Sequence, residues 1–459
     1  MGERSDAPAA PAAPGKLSRT TLWVIGICWL TIIFDGYDLI VYGAVVPSLL
    51  EYEEWALSPE EAGTIGSYAL IGMLIGALTV GTITDIVGRR KIMLFCITWF
   101  SLAMGLAAIA PSPELFGLCR FLAGLGLGGV VPTASAITME YAPPARRKFL
   151  YAVMFSGYSV GGILAALLAV PIVPEAGFRV MFAIGLAPLF FVLPLAWRFM
   201  PESISFLLAR GRREEAEELA RRYDVPLPTD AKASIEESTA AGVPDIARQG
   251  KLAPLASLFS QGHIVATGLF WAICFLMLLL VYGLNTWLSQ IMKQAGYPLG
   301  SSIAFLAALN LGAIVGAIAS GRVADRFGAR KVTSIGFLVG AGAIALLAQK
   351  PSQGVVYLLL FIGGYGTIGT AMIVNAYVAE HYPTASRATA LGWALGIGRL
   401  GAIAGPLLGG FLIGAGVGIE TNFYVFALVA LGAAILCLLV PRSPLQRRSK
   451  APATRAIPT

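Results

Sequence analysis

Two aspartates, Asp35 and Asp38, lie in the middle of the first long apolar segment of the chain. If this segment spans a bilayer, each charged carboxylate costs roughly 2.5–3.5 kcal/mol, which is tolerated where the group faces a cavity or a cation. The two residues are three apart and therefore share one helical face. Two carboxylates this close cannot both ionise cheaply, so we expect at least one of them to carry protons. The alternative is that one aspartate only holds two helices together.

Two arginines in later apolar segments are the matching cations. Arg120 in the fourth segment lies some 10 Å below the outer surface at 1.5 Å per residue, so we expect it to face the ionised aspartates. Arg399 lies near the middle of the eleventh segment, among glycines that leave room beside it. A guanidinium matches a carboxylate with two hydrogen bonds, which makes Arg399 the candidate for binding an anionic substrate. The alternative is a structural arginine bonded to backbone carbonyls.

Further side chains at suitable depth could form the walls of a binding site, which would be apolar and aromatic. Each of them could equally be ordinary packing. These candidates are Tyr42, Tyr282, Asn285 and Trp393.

The composition restricts the class of protein. The chain has 459 residues, of which 57% are apolar and only 13% charged, whereas soluble proteins average about 25% charged residues. The mean hydropathy is +0.75, and the apolar segments are too long for barrel strands. We therefore predict an all-α membrane protein. The net charge of +7 reflects basic clusters beside the segments, which set topology, so no nucleic-acid partner is expected.

Twelve apolar segments of about twenty residues fall into two sets of six. Basic clusters lie on one side of alternating segments, which by the positive-inside rule places both termini and the middle loop in the cytoplasm. The segments start near Leu22, Gly63, Ile92, Leu115, Phe149 and Arg179, then near Ile264, Ser302, Val332, Val355, Ala388 and Asn422. The predicted organisation is a tail (1–20), a six-helix bundle (21–200), a cytoplasmic linker (201–262), a second bundle (263–441) and a tail (442–459).

The two halves repeat each other at a constant offset of 240 residues. The loop around Asp85 matches the loop around Asp325 (325 − 85 = 240), and Glu140 and Arg147 match Glu380 and Arg387. Such a repeat implies two similar bundles related by an axis along the membrane normal. The intramembrane charges have no charged partner at this offset, so the halves are expected to handle substrate and proton unevenly. The pairs are Asp35 with Phe275, Asp38 with Leu278, Arg120 with Leu360, and Arg399 with Ser159.

The glycine- and charge-rich loop at residues 81–91, its copy at 321–331 and the run at 120–128 resemble the signature of the major facilitator superfamily. Within it, the Asp-Gly-Tyr-Asp at 35–38 together with Arg399 resembles the aromatic acid:proton symporters. The resemblance implies two pseudo-symmetric six-helix bundles and proton-coupled uptake of a benzoate- or hydroxybenzoate-like acid. It also implies alternating access across the bacterial inner membrane by a monomer whose partners are a small aromatic carboxylate, a proton and the lipid bilayer.

The resemblance further assigns a set of residues to a salt-bridge lattice that clamps the cytoplasmic side shut. The second loop carries Ala329 where the first has Arg89, which departs from the pattern. The gate residues so assigned are Gly81, Asp85, Gly88, Arg89, Glu140, Arg147, Asp325, Gly328, Glu380 and Arg387.

Other functions stay open at this point. The chain could be another carrier of the superfamily, such as a sugar or organic acid symporter or a drug exporter, or a receptor that does not transport. A midplane arginine is not needed for a sugar, so Arg399 weighs against that alternative. The sequence shows no nucleophile–base set, phosphate loop or metal-spaced ligand group, so we expect neither an enzyme nor a cofactor or metal.

Overall fold

The structure is a computed structural model. It describes residues 19–143, 146–223, 225, 227, 258–260 and 263–441. Residues 1–18, 228–257 and 442–459 lie outside the described residues. The expectations for the two tails and for most of the linker fall on those residues and stay predictions.

The first half begins with four long helices that are apolar because they face lipid and one another. Serines end the connecting loops: the Ser58 hydroxyl accepts from the Glu61 amide while the Glu61 carboxylate accepts from the Ser58 amide, which satisfies two free N–H groups. The helices are α1 (Arg19–Leu50), α2 (Pro59–Val87), α3 (Arg89–Ala108), α4 (Pro113–Tyr141), α5 (Arg147–Ile184), α6 (Ala187–Phe190), α7 (Val192–Phe199), α8 (Ile204–Ala209) and α9 (Arg213–Tyr223).

The long helix α5 contains the fifth crossing and the start of the sixth. It bends sharply at Gly177, whose φ of +76° lies in the left-handed region that glycine adopts without strain. The sixth crossing therefore runs over residues 178–199 and is interrupted at Phe191 between α6 and α7. Among the described residues, eleven helices are long and apolar enough to span a membrane, and 187–199 forms a shorter apolar stretch. The predicted all-α membrane fold is confirmed.

The second half repeats this arrangement after the linker. One turn of π-helix, Tyr365–Gly369, interrupts its fourth crossing. The helices are α10 (Ile264–Gln294), α11 (Leu299–Phe327), α12 (Ala329–Leu347), α13 (Gln353–Gly364), α14 (Thr370–His381), α15 (Thr384–Gly414) and α16 (Ile419–Leu439).

The sequence repeat is also a repeat of helix packing. A Cβ atom on Gly72 would lie 2.2 Å from the carbonyl oxygen of Phe121, and one on Gly312 would lie 2.0 Å from that of Phe361. Both residues of the second contact are displaced by the same number (312 − 72 = 361 − 121 = 240). Only glycine permits helices to touch backbone to backbone in this way, so the same close approach of the second and fourth crossings is built into each half.

The two halves meet mainly on one side of the membrane, which we call the acidic side because the glutamate-rich loop 51–58 lies there. Here Gly43 of α1 lies against the backbone of Asn285 in α10. The Ser289 hydroxyl donates to the Gly43 carbonyl, and the Ser67 hydroxyl of α2 donates to the Ile403 carbonyl of α15 at 2.8 Å. The opposite side, where Arg89 and Arg146 lie, is the basic side.

The buried core follows the same division. One large apolar cluster contains residues of both halves, including Val45 and Leu49 of α1 with Leu288 and Ile291 of α10. Toward the basic side the core separates into one cluster drawn largely from the first half and one drawn from the second half. The halves are therefore joined on the acidic side and part toward the basic side.

Candidate functional site

One of the two aspartates is neutralised by a buried arginine. Asp38 and Arg120 are each 1% exposed, and the Arg120 guanidinium donates to the Asp38 carboxylate. A second guanidinium nitrogen lies 3.4 Å from the Asp38 carbonyl oxygen. The guanidinium also lies 5.4 Å from the Tyr42 ring centroid and 5.6 Å from that of Phe182. Asp38 and Arg120 thus form a closed pair between α1 and α4.

Tyr42 supports this pair, and its hydroxyl proton is used within the protein. Its hydroxyl donates to the carbonyl oxygen of Ala62 in α2 at 2.5 Å, and its side chain is 2% exposed. We therefore place Tyr42 behind the site, although the sequence made it a candidate for the wall.

Asp35 differs sharply from Asp38. It is fully buried, and within the described part of the chain neither of its carboxylate oxygens has a hydrogen-bond donor. The charge that acts on it favourably is that of Arg399, in the other half of the molecule, while Asp38 repels it. A buried carboxylate without donors is unstable as an anion, so Asp35 is the aspartate whose surroundings suit reversible protonation.

Arg399 lies at the centre of its helix. It is the sixteenth of the 31 residues of α15, just as Asp35 is near the middle of α1. Its side chain is half-buried, and one guanidinium nitrogen, Nη1, is buried without a hydrogen-bond partner among the described residues. Arg399 therefore keeps part of its donor fork available.

A pair of tyrosines joins the two halves at the same level. Tyr158 of α5 is within hydrogen-bonding range of Tyr282 of α10, and both Asp35 and Arg399 act electrostatically on Tyr158. The α1 and α5 backbones approach closely enough for this because residue 36 is glycine: a Cβ there would lie 2.0 Å from the Tyr158 carbonyl oxygen. We call Asp35, Arg399, Tyr158 and Tyr282 the central cluster.

Sequence reasoning did not identify Tyr158. Its partner in the 240-residue repeat is Gly398 (398 − 158 = 240), so it is as asymmetric as the charges that the repeat singled out. The same asymmetry is shared by other aromatic residues, such as Phe155 with Leu395, so the repeat alone does not single out Tyr158.

A polar pair lies about one helical turn from the central cluster toward the acidic side. Asn310 of α11 donates from its amide nitrogen to the Asn285 side-chain oxygen at 3.2 Å, and Asn285 donates to the Val281 carbonyl at 2.8 Å. Asn285 was a predicted wall residue, whereas Asn310 was not.

Trp393 does not belong to this group. Its side chain is 44% exposed and lies on the same face of α15 as the exposed Leu400 and Phe411, since these positions are close to whole numbers of turns apart. It stacks on Trp271 with ring centroids 5.7 Å apart. This exposed apolar stripe suits contact with lipid, so we leave Trp393 out of the site.

The charges on the basic side form contacts within the first half. Arg89 donates to Glu140 at 3.0 Å, and the other Glu140 oxygen accepts from the amide and hydroxyl of Ser205 at the start of α8, at 2.6 and 2.9 Å. Arg147 is half-buried, with a buried Nε that has no partner among the described residues.

Within the described part of the second half, the corresponding acids are not buried. Asp325, Glu380 and Arg387 are exposed. The residues Gly88 and Gly328 adopt φ values of +105° and +87°, which favour glycine and separate α2 from α3 and α11 from α12. The side chains of residues 81 and 85 lie outside the described part, and the role of this whole set as a clamp between halves stays a prediction.

The different surroundings of the two aspartates predict different effects on stability. Asp38→Asn leaves a buried Arg120 unpaired and should lower the free energy of unfolding by about 3–5 kcal/mol. Asp35→Asn leaves the charge of Arg399 without its counter-charge, but Arg399 is only half-buried and Asp35 accepts no hydrogen bond among the described residues, so its loss of stability should be clearly smaller. Thermal unfolding of both variants in lipid nanodiscs checks this.

The double variant Asp38→Leu with Arg120→Met is the control for the first effect, since removing both charges of a buried pair restores most of the lost stability. Equal losses in Asp35→Asn and Asp38→Asn would contradict the assignment of the closed pair.

Comparison with known proteins identifies the family of this chain. The sequence profile of the sugar (and other) transporter family matches residues 24–447. The chain is 38% identical over 433 residues to a benzoate transport protein of Acinetobacter baylyi, covering 93% of this chain and 90% of that protein. It is 39% identical over 422 residues to a gentisate transporter of Corynebacterium glutamicum, covering 91% and 87%. It is 31% identical over 420 residues to a 4-hydroxybenzoate transporter of Pseudomonas aeruginosa, covering 91% of each.

Solved structures agree on the fold. The xylose transporter XylE from E. coli in an inward open conformation superposes with a TM-score of 0.72 at 18% identity, covering 92% of this chain and 97% of that one. A bacterial homologue of the human lysosomal transporter Spinster superposes with a TM-score of 0.73 at 16% identity, covering 96% and 100%.

Proposed function

Since the chain belongs to the sugar (and other) transporter family of the major facilitator superfamily, we propose that it carries a small aromatic carboxylate together with a proton by alternating access. It is a transporter and not an enzyme. The relatives at 31–39% identity are transporters of benzoate, gentisate and 4-hydroxybenzoate, which supports an aromatic acid as the substrate.

The observation that carries the proposal is that Asp35, near the middle of α1, and Arg399, in the middle of α15, lie within electrostatic reach of each other across the two halves. Neither oxygen of Asp35 has a hydrogen-bond donor among the described residues, and Arg399 has an unused donor. Each residue therefore lacks the partners that a purely structural ion pair would have. A substrate carboxylate can accept hydrogen bonds from the Arg399 guanidinium. The Asp35 carboxyl group is then stable only in its protonated form.

Charge balance makes protonation of Asp35 and binding of the substrate anion depend on each other. In the empty carrier, anionic Asp35 offsets the charge of Arg399. In the loaded carrier, protonated Asp35 is neutral and the substrate anion offsets Arg399. A carrier holding only the proton or only the anion would have a net charge at the membrane centre, which costs several kcal/mol. Empty and fully loaded carriers are thus the forms that change conformation readily.

The Asp38–Arg120 pair plays a supporting part in this mechanism. It carries no net charge and ties α1 to α4 one turn from Asp35, so its negative carboxylate stays close enough to disfavour the Asp35 anion. We propose that the pair remains intact through the cycle and that protons are exchanged at Asp35.

The orientation follows from the positive-inside rule, which makes the basic side cytoplasmic. The halves are joined on the acidic side and part toward the basic side, so the structure corresponds to a carrier open to the cytoplasm. Location in a bacterial inner membrane, cytoplasmic termini and a monomeric carrier belong to the same proposal.

Uptake into proteoliposomes tests the function. Initial rates would be measured for radiolabelled benzoate, 4-hydroxybenzoate, gentisate and xylose, with and without an inside-alkaline pH gradient. Protein-free liposomes would correct for passive entry of the neutral acids. We expect saturable uptake of at least one aromatic acid, faster with the gradient, and none of xylose. Uptake of xylose without any aromatic acid would refute the proposal.

A further inference from the structure

The helices α2 and α15, which belong to different halves, touch on the acidic side through glycine. A Cβ atom on Gly63 of α2 would lie 2.7 Å from the carbonyl oxygen of Pro406 in α15. A Cβ atom on Gly410 of α15 would lie 2.7 Å from the carbonyl oxygen of Pro59 in α2. The two backbones therefore approach as closely as only glycine permits.

The same face of α15 carries two more glycines toward the basic side. Gly396 and Gly392 lie seven and eleven residues before Ile403, close to two and three helical turns, so the three residues share one face. Both glycines are exposed. Apart from adjacent residues and the backbone of α15 itself, no described atom lies within 4 Å of where their Cβ atoms would be. We call Gly392 and Gly396 the open glycine pair.

Two leucines of α2 lie at the same depths as the open glycine pair. The helices are antiparallel, and the hydrogen bond from the Ser67 hydroxyl to the Ile403 carbonyl oxygen at 2.8 Å fixes their register. Seven and eleven residues beyond Ser67 are Leu74 and Leu78. Leu74 is half-buried and Leu78 is 69% exposed. Large side chains of α2 are thus matched with glycines of α15, but in this conformation the two sets do not touch.

The internal repeat gives a similar match at the other interface between the halves, which α5 and α11 form. These helices also approach on the acidic side, where a Cβ atom on Gly300 would lie 3.8 Å from Val170. A shift of 240 residues takes the two leucines to isoleucines of α11 and the open glycine pair to small residues of α5. These residues are Ile314 and Ile318, and Ser156 and Ala152. The match of large with small residues therefore occurs at both interfaces.

We propose that Leu74 and Leu78 pack onto the open glycine pair when the carrier closes toward the cytoplasm. The inference rests on the proposed function, because alternating access requires the basic side to close while the acidic side opens. Arg399 lies on the same face of α15, between the glycine contact that is made and the open glycine pair. Glycine at 392 and 396 lets α2 approach α15 on the basic side as closely as it does on the acidic side.

Disulfide cross-linking tests this contact directly. The five native cysteines, all buried, would first be replaced by alanine, and Leu74→Cys would be combined with Gly396→Cys. Copper phenanthroline is the oxidant, and a protease site inserted within residues 228–257 lets electrophoresis tell linked halves from separate ones. We expect the halves to become linked, transport to stop, and a reducing agent to restore it.

Two further pairs serve as controls for the cross-link. Ser67→Cys with Ile403→Cys joins positions that already touch and should link. Leu74→Cys with Gly342→Cys should not, because Gly342 lies in α12, away from this interface. A carrier that transports but never links residues 74 and 396 would overturn the inference.

A bulkier residue in the open glycine pair should block closure. Gly392→Leu has room in the present conformation but would overpack the closed one, so the maximal rates of uptake and of counterflow should fall at least about tenfold. Gly342→Leu is the matched control, because Gly342 is also exposed with open space around it, and it should transport like the wild type. Unchanged rates in Gly392→Leu would also overturn the inference.

These outcomes are distinguishable from failure of the proposed function. Absence of carrier-mediated uptake of any aromatic acid by the wild-type protein contradicts the proposed function, whereas the link between residues 74 and 396 forms or fails whatever the substrate is. Uptake of an aromatic acid without that link contradicts only the role of the open glycine pair.

Discussion

Asp35→Asn is expected to abolish the part of uptake that a pH gradient drives. One pH unit corresponds to 1.36 kcal/mol, a tenfold factor, so a carrier that couples one proton to one anion can gain about tenfold from it. The asparagine side chain keeps the shape of the acid but cannot carry a proton. The initial rate of carrier-mediated uptake in Asp35→Asn should therefore be the same with and without the gradient.

Exchange of substrate should survive in this variant. A neutral residue at position 35 mimics the protonated carrier, so loaded carriers can still change conformation, and counterflow of labelled against unlabelled acid should remain. Glu53→Gln is the matched control, because Glu53 is an exposed acid in the loop 51–58, and it should respond to the gradient like the wild type. Gradient-driven uptake retained by Asp35→Asn would show that protons travel elsewhere.

Arg399→Lys is expected to raise the KM for the substrate by about 10- to 100-fold. The substitution keeps the positive charge but replaces a planar fork by a single ammonium group, which loses one of two charge-assisted hydrogen bonds. Each factor of ten corresponds to about 1.4 kcal/mol. Because the ammonium still offsets the charge of Asp35, the variant should fold normally.

Two measurements define this effect. Saturation curves give KM and the maximal rate, and thermal unfolding checks the fold. Arg221→Lys, at an exposed position of α9, is the control and should leave KM unchanged. A normal KM in Arg399→Lys would make Arg399 a structural residue, the alternative that its position in the sequence left open.

The architecture could be predicted from the sequence because each membrane helix is defined by its own run of apolar residues. A run of about twenty apolar residues identifies each crossing, and the predicted starts differ from the observed ones by only a few residues. The interruption of the sixth crossing at Phe191 was not anticipated, although Pro188 and Pro194 lie three residues to either side of it. The offset of 240 residues predicted two similar bundles, and the repeated packing of Gly72 and Gly312 in the structure agrees with it.

The site was only partly accessible from the sequence. Intramembrane charge is rare, so it identified Asp35, Asp38 and Arg399 directly. The different roles of the two aspartates could not be predicted from the sequence. They depend on which carboxylate Arg120 contacts, and both carboxylates lie on one face of α1. Only the three-dimensional arrangement shows that Arg120 binds Asp38.

Aromatic and amide side chains were the least predictable. They are common in membrane proteins, and their role depends on which face of a helix meets which neighbour. Trp393 was proposed from helix face and depth, and it lies on an exposed stripe. Asn310 was overlooked because nothing in a single sequence reveals that its side-chain oxygen lacks a donor.

The central claim is that substrate binding to Arg399 is linked to protonation of Asp35. It is tested most directly by adding a saturating aromatic acid, as its anion, to the purified carrier in weakly buffered detergent solution and following pH with a dye. Linkage requires that binding of the anion draws protons onto the protein, so we predict an alkaline shift of about one proton per bound anion. The shift should be absent in Asp35→Asn. No proton uptake by the wild type, or an equal uptake by the variant that still binds the anion, would contradict the claim.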